Sequence, residues 1–281
     1  MKVELTSNSY GKSSVRLVRV VRNGPQHEVK DVSVDIQFKG DFDTVYTAGD
    51  NSKVLPTDTI KNTVYALAGK QPVGEIEEFG HRLSQHFFAG NPQVSEVNIS
   101  IRERLWARIP VGGKPHPSSF VGGSQERRTA TITANRKGNS ISAGVEDLLV
   151  LRTAGSGFSG YIKDAYTTLP ETNDRIFSTV VKAVWNYKSG AKDFGRNWSE
   201  IRSALLETFA THFSESVQHT MYAMAEAALH RCEQVSEIHL TMPNKHHIPF
   251  DLSRIGMENR NEVFIPTDEP YGLIEATVRR K

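Results

Sequence analysis

The sequence is poor in the residues that most often announce a chemistry. A single cysteine, Cys232, stands among 281 residues. No disulfide can close within one chain, and a reducing cytoplasm is the expected compartment. No apolar run approaches the length that crosses a bilayer, so no membrane-spanning helix is expected. The opening "MKVELTSNSY" is polar almost from its start and lacks the apolar core of a secretory signal, while "VRRK" is not the tripeptide that addresses peroxisomes. Formal charge is only +2, with 34 Lys and Arg against 32 Asp and Glu. That gives little of the electrostatic pull of a dedicated nucleic-acid binder. Glycines in "VGGKPHPSSFVGGS" follow neither the GxGxxG nor the GKS/T spacing, so the stretch is expected to be loop and no nucleotide cofactor is indicated. The 10 histidines include the neighbours His246 and His247, which would point apart on a strand; without CxxC or HExxH nearby, no metal site is expected. The nucleophile elbow GxSxG is absent as well.

What the chain does contain is a repeat. Hydrophobic content of 38% with 23% charged residues suits a soluble globular protein, long enough for two ordinary domains. "QVSEVNISI" from Gln93 and "QVSEIHLTM" from Gln234 share their first four residues and then the same apolar alternation, half a chain apart. Their flanks repeat too. In the first half, "SVRLVRVVR" and the alternating Val32, Val34, Ile36 and Phe38 predict strands. Ile60, Val64 and Leu67, then Ile76, Phe79, Leu83 and Phe87, form helical stripes, and strands follow through Val97, Ile99 and Ile101 and through "RTATITA". In the second half, "VEDLLVLRT" and "TVVKAVWNY" read as strands. Helices follow through Ile201, Leu205 and Phe209 and through Val217, Met221, Met224 and Ala228, then strands from Ile238 and from "EVFIPT" to "IEATVRR". The predicted class is α+β, with two tandem domains at 1–138 and 139–281, divided near "NRKGNS". Each would be an antiparallel four-stranded sheet with two helices on one face. Such sheets leave one face and both edges bare. Pairing of edges between subunits, closing the sheets into a ring, is the economical remedy.

Several short segments place polar groups where a site would need them. "LPTDTIKN" begins the first helix, with Thr57 or Asp58 as its expected N-cap; a helix start is also a place for an anion. "YGK" sets Lys12 at the entry to the first strand, a candidate base where water is restricted. "TNDRIFST" offers Arg175, with Asp174 or Glu171 as its ordinary partner. "SESVQHTMYAMAE" sets Gln218 beside the apolar Val217, and "SGFSGYIKDAYTTL" sets Phe158 between glycines, as core plug or stacking platform. In "TMPNKHHIPF" the apolar even positions Ile238, Leu240 and Met242 carry Asn244 and His246 onto the core face by parity, with Pro243 able to shift the register.

In combination these segments resemble the urate oxidase (uricase) family, cofactor-free enzymes of the tunnelling fold. "YGK", "TDTIKNT", "GKPHPSSF", "YTTLPETNDRIFST", "SVQHTMYAMAE" and "PNKHHIPFDL" occur in that family's order and spacing over nearly the whole chain. The resemblance implies that Arg175 and Gln218 clamp a planar purine, that Phe158 stacks on it, that the backbone around Val217 adds a hydrogen bond, and that Thr57 and Asp58 also belong to the substrate-binding set. It implies that Asn244 holds dioxygen or water above the ring, and that Lys12, Thr57 and His246 relay protons. It further implies a homotetramer with Thr57 supplied by a neighbouring subunit, urate and dioxygen as substrates, and 5-hydroxyisourate and hydrogen peroxide as products. "FSGY" departs from the family in lacking an aromatic residue directly after Phe158. Two rival readings are a tunnelling-fold enzyme acting on a pterin or another purine, and a single-strand nucleic-acid binder using the basic loops "SQERR" and "NRKGN".

Overall fold

A computed structural model describes residues 1–281, which divide into two compact units, one of Met1–Gly144 with Ser189–Gly195 and one of Val145–Lys188 with Arg196–Lys281. In the first unit the order is β1 (Tyr10–Val21), β2 (Glu28–Gly40), α1 (Asp43–Ala48), α2 (Thr57–Lys70), α3 (Ile76–Gly90), β3 (Val94–Val111) and β4 (Lys114–Asn135). A turn leads from β4 into β5 (Gly138–Arg152). Strands β1 to β4 pair in sequence order, all antiparallel, with Leu17 opposite Val32, Val34 opposite Ile101 and Ile99 opposite Ile132. The alternation in β2 does what period-2 patterning requires. Val34, Ile36 and Phe38 are fully buried with Ile60 and Val64 of α2 and Phe79, Leu83 and Phe87 of α3. Burial of each such side chain is worth about 1.5–3 kcal/mol, so this face holds the unit together. The other face is polar: Asn98 donates to Thr133 at 2.8 Å and Arg102 to Asp35 at 2.8 Å.

The second unit repeats the plan with β6 (Phe177–Tyr187), α4 (Phe194–Thr211), α5 (Val217–Arg231), β7 (Val235–Thr241) and β10 (Glu275–Arg279), into which a hairpin of β8 (Asn244–Pro249) and β9 (Phe264–Gly272) is inserted. Strand β7 lies between β6 and β10, with Leu240 opposite both Ala183 and Ala276. Trp185, Val181, Leu240, Met242, Met221 and Met224 are buried, and Phe177 meets Phe209 of α4 at 5.1 Å. The expected α+β class and the strand, strand, helix, helix, strand, strand order are present in both halves, with the short α1 added in the first and the β8–β9 hairpin in the second. Strands β1 and β10 each have a single strand neighbour. No helix is long and apolar enough to cross a membrane.

Three local expectations are corrected. "VGGKPHPSSFVGGS" is not loop: only Gly112 and Gly113 turn, both at positive φ (57° and 76°), and the rest belongs to the β3–β4 ribbon. Two consecutive residues at positive φ make the tight hairpin turn that glycine pairs favour, so the glycines marked a hairpin. Neither Thr57 nor Asp58 caps α2; Pro56 holds the N-cap position and no side chain caps the helix. Finally, His246 is exposed, not on a core face. The β7 pairing stops at Thr241, Pro243 offers no ladder donor, and the backbone re-enters the sheet at Asn244, beside Thr179 of β6 and across from β9.

One ionisable cluster lies inside the first unit. Glu77 of α3 is fully buried and receives Arg128 Nη2 at 2.7 Å, while Glu75 receives Nη1 at 2.6 Å. Burial pushes the Glu77 carboxyl up to about 7, against the pull of Arg128. Its unfolded counterpart ionises near 4.5. The stability it contributes is therefore complete below that value and is lost as pH rises through about 7. In thermal melts from pH 4 to pH 8, the stability of the wild type relative to Glu77→Gln is expected to fall steadily with rising pH; a constant difference would contradict the assignment.

Candidate active site

The residues singled out from the sequence gather in two places, one in each unit. In the first, Tyr10 builds the surroundings of Lys12. Its ring packs edge-on against Phe38 and Phe42 at 5.6 and 4.8 Å, and its hydroxyl accepts from the Leu55 amide at 2.9 Å. That bond ties the start of β1 to the segment entering α2. Gly11 is required between them, since a Cβ there would lie 1.8 Å from the Ile36 carbonyl oxygen. Lys12, half-buried, pairs with Ile36 just before a bulge that ends at Val15. Its charge reaches Asp58, whose carboxylate is held below its ordinary value first by Lys61, then by Asn62, and also by Lys12. Asp58 accepts from Lys61 at 2.5 Å and from Asn62 at 2.8 Å. Thr57 is exposed at the uncapped start of α2. The first-turn amides there have no side-chain acceptor, and the helix presents them outward.

The second place is built on a short extended segment. Gly157 donates to the Ser214 carbonyl at 2.8 Å, Phe158 and Thr172 exchange backbone bonds at 2.7 and 3.1 Å, and the Arg175 amide donates to the Ser156 carbonyl at 2.8 Å. Residues 156–158 are thus laced to both 172–175 and 214. Ser214 Oγ donates to the Ser216 carbonyl at 3.1 Å, and Ser216 caps α5 by accepting from the His219 amide at 3.1 Å. The first turn of α5 then carries Val217, buried, and Gln218, exposed. The Arg175 guanidinium lies over the Phe158 ring, 5.2 Å from its centre, and Tyr161 stacks on that ring at 4.8 Å and 13°.

Beside them lies a cavity of about 500 Å³ lined by Arg175, Ile176, Asn244, His246, His247 and Phe264, among others. Neither carboxylate expected to neutralise Arg175 does so. Asp174 accepts from the Gly155 amide at 2.8 Å, and Glu171 pairs with Lys163 at 2.9 Å. Burial alone draws the Arg175 guanidinium below its ordinary value, with no opposing charge acting on it. A cation so placed, beside an aromatic face and an open volume, has the chemistry to receive a flat anion.

The structure therefore brings Arg175, Asn244 and His246 to one cavity, sets Phe158 against Arg175, and groups Lys12 with Thr57 and Asp58 in the other unit. Sequence reasoning overlooked Tyr10, Tyr161 and Arg152, whose side chains touch backbone and neighbouring rings. The glycine beside Tyr10 and the positive charge ending β5 were the available signals.

The uricase family model matches residues 8–133 and 141–275. The chain is 43% identical over 280 residues to the uricase of Arthrobacter globiformis, covering 100% of this chain and 91% of that protein. It is 41% identical over 281 residues to the uricase of Dictyostelium discoideum, covering 98% and 97%. The crystal structure of the Arthrobacter globiformis uricase superposes with a TM-score of 0.94, over 100% of this chain and 96% of that one. A uricase from Bacillus fastidious, 24% identical, shares the fold at a TM-score of 0.86 over 97% and 94%. With both halves matched and relatives above 40% identity along the full length, this chain belongs to the uricase family of oxidoreductases.

Proposed function

We propose that the protein oxidises urate with dioxygen, without a cofactor, giving 5-hydroxyisourate and hydrogen peroxide. The observation that carries this reading is Arg175, a half-buried cation without a carboxylate partner, set over Phe158 at the edge of the cavity. Family membership supplies the substrate, and the site supplies reasons why it suits. Urate is flat and anionic near neutral pH. A guanidinium presents rigid paired donors to its edge, the Gln218 amide complements them, and an aromatic ring fits its face. Urate gives up two electrons to dioxygen, which leaves as peroxide after taking two protons. Water provides the hydroxyl at carbon 5, through an intermediate oxygenated there. The redox change lies wholly between the two substrates. The protein orients them, removes and returns protons, and stabilises charge as it develops.

Asn244, on the cavity wall, holds dioxygen or water over the purine. Lys12, Thr57 and His246 relay the protons. Thr57 and Lys12 serve the cavity of a neighbouring subunit in a homotetramer, in which sheets of two subunits join edge to edge. Two features support that arrangement: β1 and β10 have unpaired outer edges, and the first turn of α2 is open. Bound there, an anion would satisfy amides that no side chain caps.

The nucleic-acid reading loses support from the basic loops. Arg128 is buried on Glu75 and Glu77, Arg127 donates to the carbonyls of Gln125 and Glu126, and Arg136 donates to those of Asn91 and Pro92. Arg128 is thereby withdrawn from any external phosphate, and the backbone carbonyls occupy part of the donor set of Arg127 and Arg136. A pterin as substrate would engage the same clamp, and a direct substrate comparison separates the two.

The first test is urate loss by ultraviolet absorbance with peroxide yield, using chelator-treated protein in air and under nitrogen. Oxygen-dependent loss with about one peroxide per urate is expected; no loss from a folded assembly, or turnover of pterins instead, would refute the reading. Lys12→Met and Thr57→Ala are expected to lower kcat by about a hundredfold or more, in the range of lost acid–base catalysis, with anaerobic urate binding nearly unchanged. Arg175→Ala should instead weaken binding first. Wild-type kcat in either relay variant would remove that residue from the relay.

A further inference from the structure

We propose that Arg152 is a positioning residue for the substrate clamp, fixing Phe158, Arg175 and the start of α5 through the backbone without touching substrate. The proposal rests on the urate reading above. Arg152 ends β5 and lines no part of the cavity. Its Nε donates to the Ala154 carbonyl at 2.9 Å and its Nη2 to that of Gly155 at 2.7 Å. Nη1 donates to the Phe209 carbonyl at 3.1 Å and to that of His212. One planar fork thus joins the segment leading to Phe158 with the carbonyls at the end of α4. Those carbonyls have no helical partners of their own, and a cation is favoured at that terminus.

The joined segment sets the clamp. Gly155 also accepts from the Ser214 amide at 3.0 Å, Ser156 accepts from the Arg175 amide, and Gly157 donates to Ser214. Ser214 continues through Ser216 to the cap of α5, where Gln218 begins. Asp174 closes the loop from the other side: its Oδ1 accepts from the Gly155 amide at 2.8 Å, and its charge favours the Arg152 cation that burial disfavours. All three binding groups, on three stretches of chain, therefore take their positions from one guanidinium. A lysine at 152 would keep the charge but lose the fork, and could not reach all four carbonyls in the same geometry.

The test compares wild type, Arg152→Lys and Arg152→Met by steady-state kinetics, anaerobic urate titration, thermal melting and amide hydrogen exchange. In folded Arg152→Met, KM and the anaerobic Kd are expected to rise together by at least about tenfold, within the hundredfold that a 1 Å misplacement can cost, while kcat falls less. Arg152→Lys should lie between. Exchange should quicken at Gly157, Phe158 and Arg175 and remain unchanged in β2. A purely structural residue would lower the melting temperature and leave KM alone. If Arg152→Met fails to fold, Arg152→Lys decides: wild-type KM and wild-type protection at residues 157 and 158 would overturn the proposal. A wild-type protein that neither binds nor consumes urate would refute the urate reading instead, and the exchange comparison would still judge the positioning.

Discussion

Alternation along β2 divides the first unit into an apolar face and a polar one, and the placement of its site residues depends on that division. Val34, Ile36 and Phe38 lie beneath the helices, while Ser33, Asp35 and Gln37 face the other way. Because Phe38 is locked in the core, Tyr10 opposite it has a wall to pack against. The Tyr10 hydroxyl then holds Leu55, and α2 starts where it does beside Lys12. The geometry around Lys12 is inherited from a packed strand pair and conveyed by one phenol.

The second unit reaches a comparable result by other means. Its cavity groups sit on connections, where no packed face dictates orientation, and backbone hydrogen bonds take over that task. Residues 156–158 behave as a short strand held between 172–175 and 214, with bridges at Ser156 and Phe158. Such lacing suits a clamp. Partial burial of the lone Arg175 charge costs free energy, and the two carboxylates nearest in sequence do not offset it, since Asp174 and Glu171 are engaged elsewhere. An anionic ligand would supply the missing counter-charge and offset that cost on binding.

Periodicity made the skeleton legible because burial enforces it. The stripe through Phe79, Leu83 and Phe87 and the alternation through Ile99 and Ile101 could be read directly, since each position reports one environment. The stretch from Met242 to His246 could not. Parity holds only while the ladder holds, and Pro243 ends it, so His246 leaves the core face for an exposed position, although both it and Asn244 line the cavity. The α2 cap was misread for a related reason: Thr57 has the chemistry of a cap, but Pro56 occupies the position. The Gly112–Gly113 pair was legible as a break and only the structure showed it as a turn. Arg152 left almost no trace, because its partners are carbonyls and carbonyls have no sequence.

The uncapped start of α2 and the unneutralised Arg175 have a common logic. A protein selected only for stability would cap the helix with its own Thr57 or Asp58 and pair the arginine with the aspartate next to it, each worth about 1 kcal/mol. Here both local partners stand within reach in sequence and both are diverted, Asp58 to Lys61 and Asn62, Asp174 to the Gly155 amide. What remains at each place is surplus positive potential with no internal acceptor. One such place would be an ordinary imperfection of a folded chain. Two, the one beside Lys12 and the other beside the Phe158 ring, would suit the proposed interfacial site, whose anion would be held at several points and more strongly as charge shifts onto oxygen.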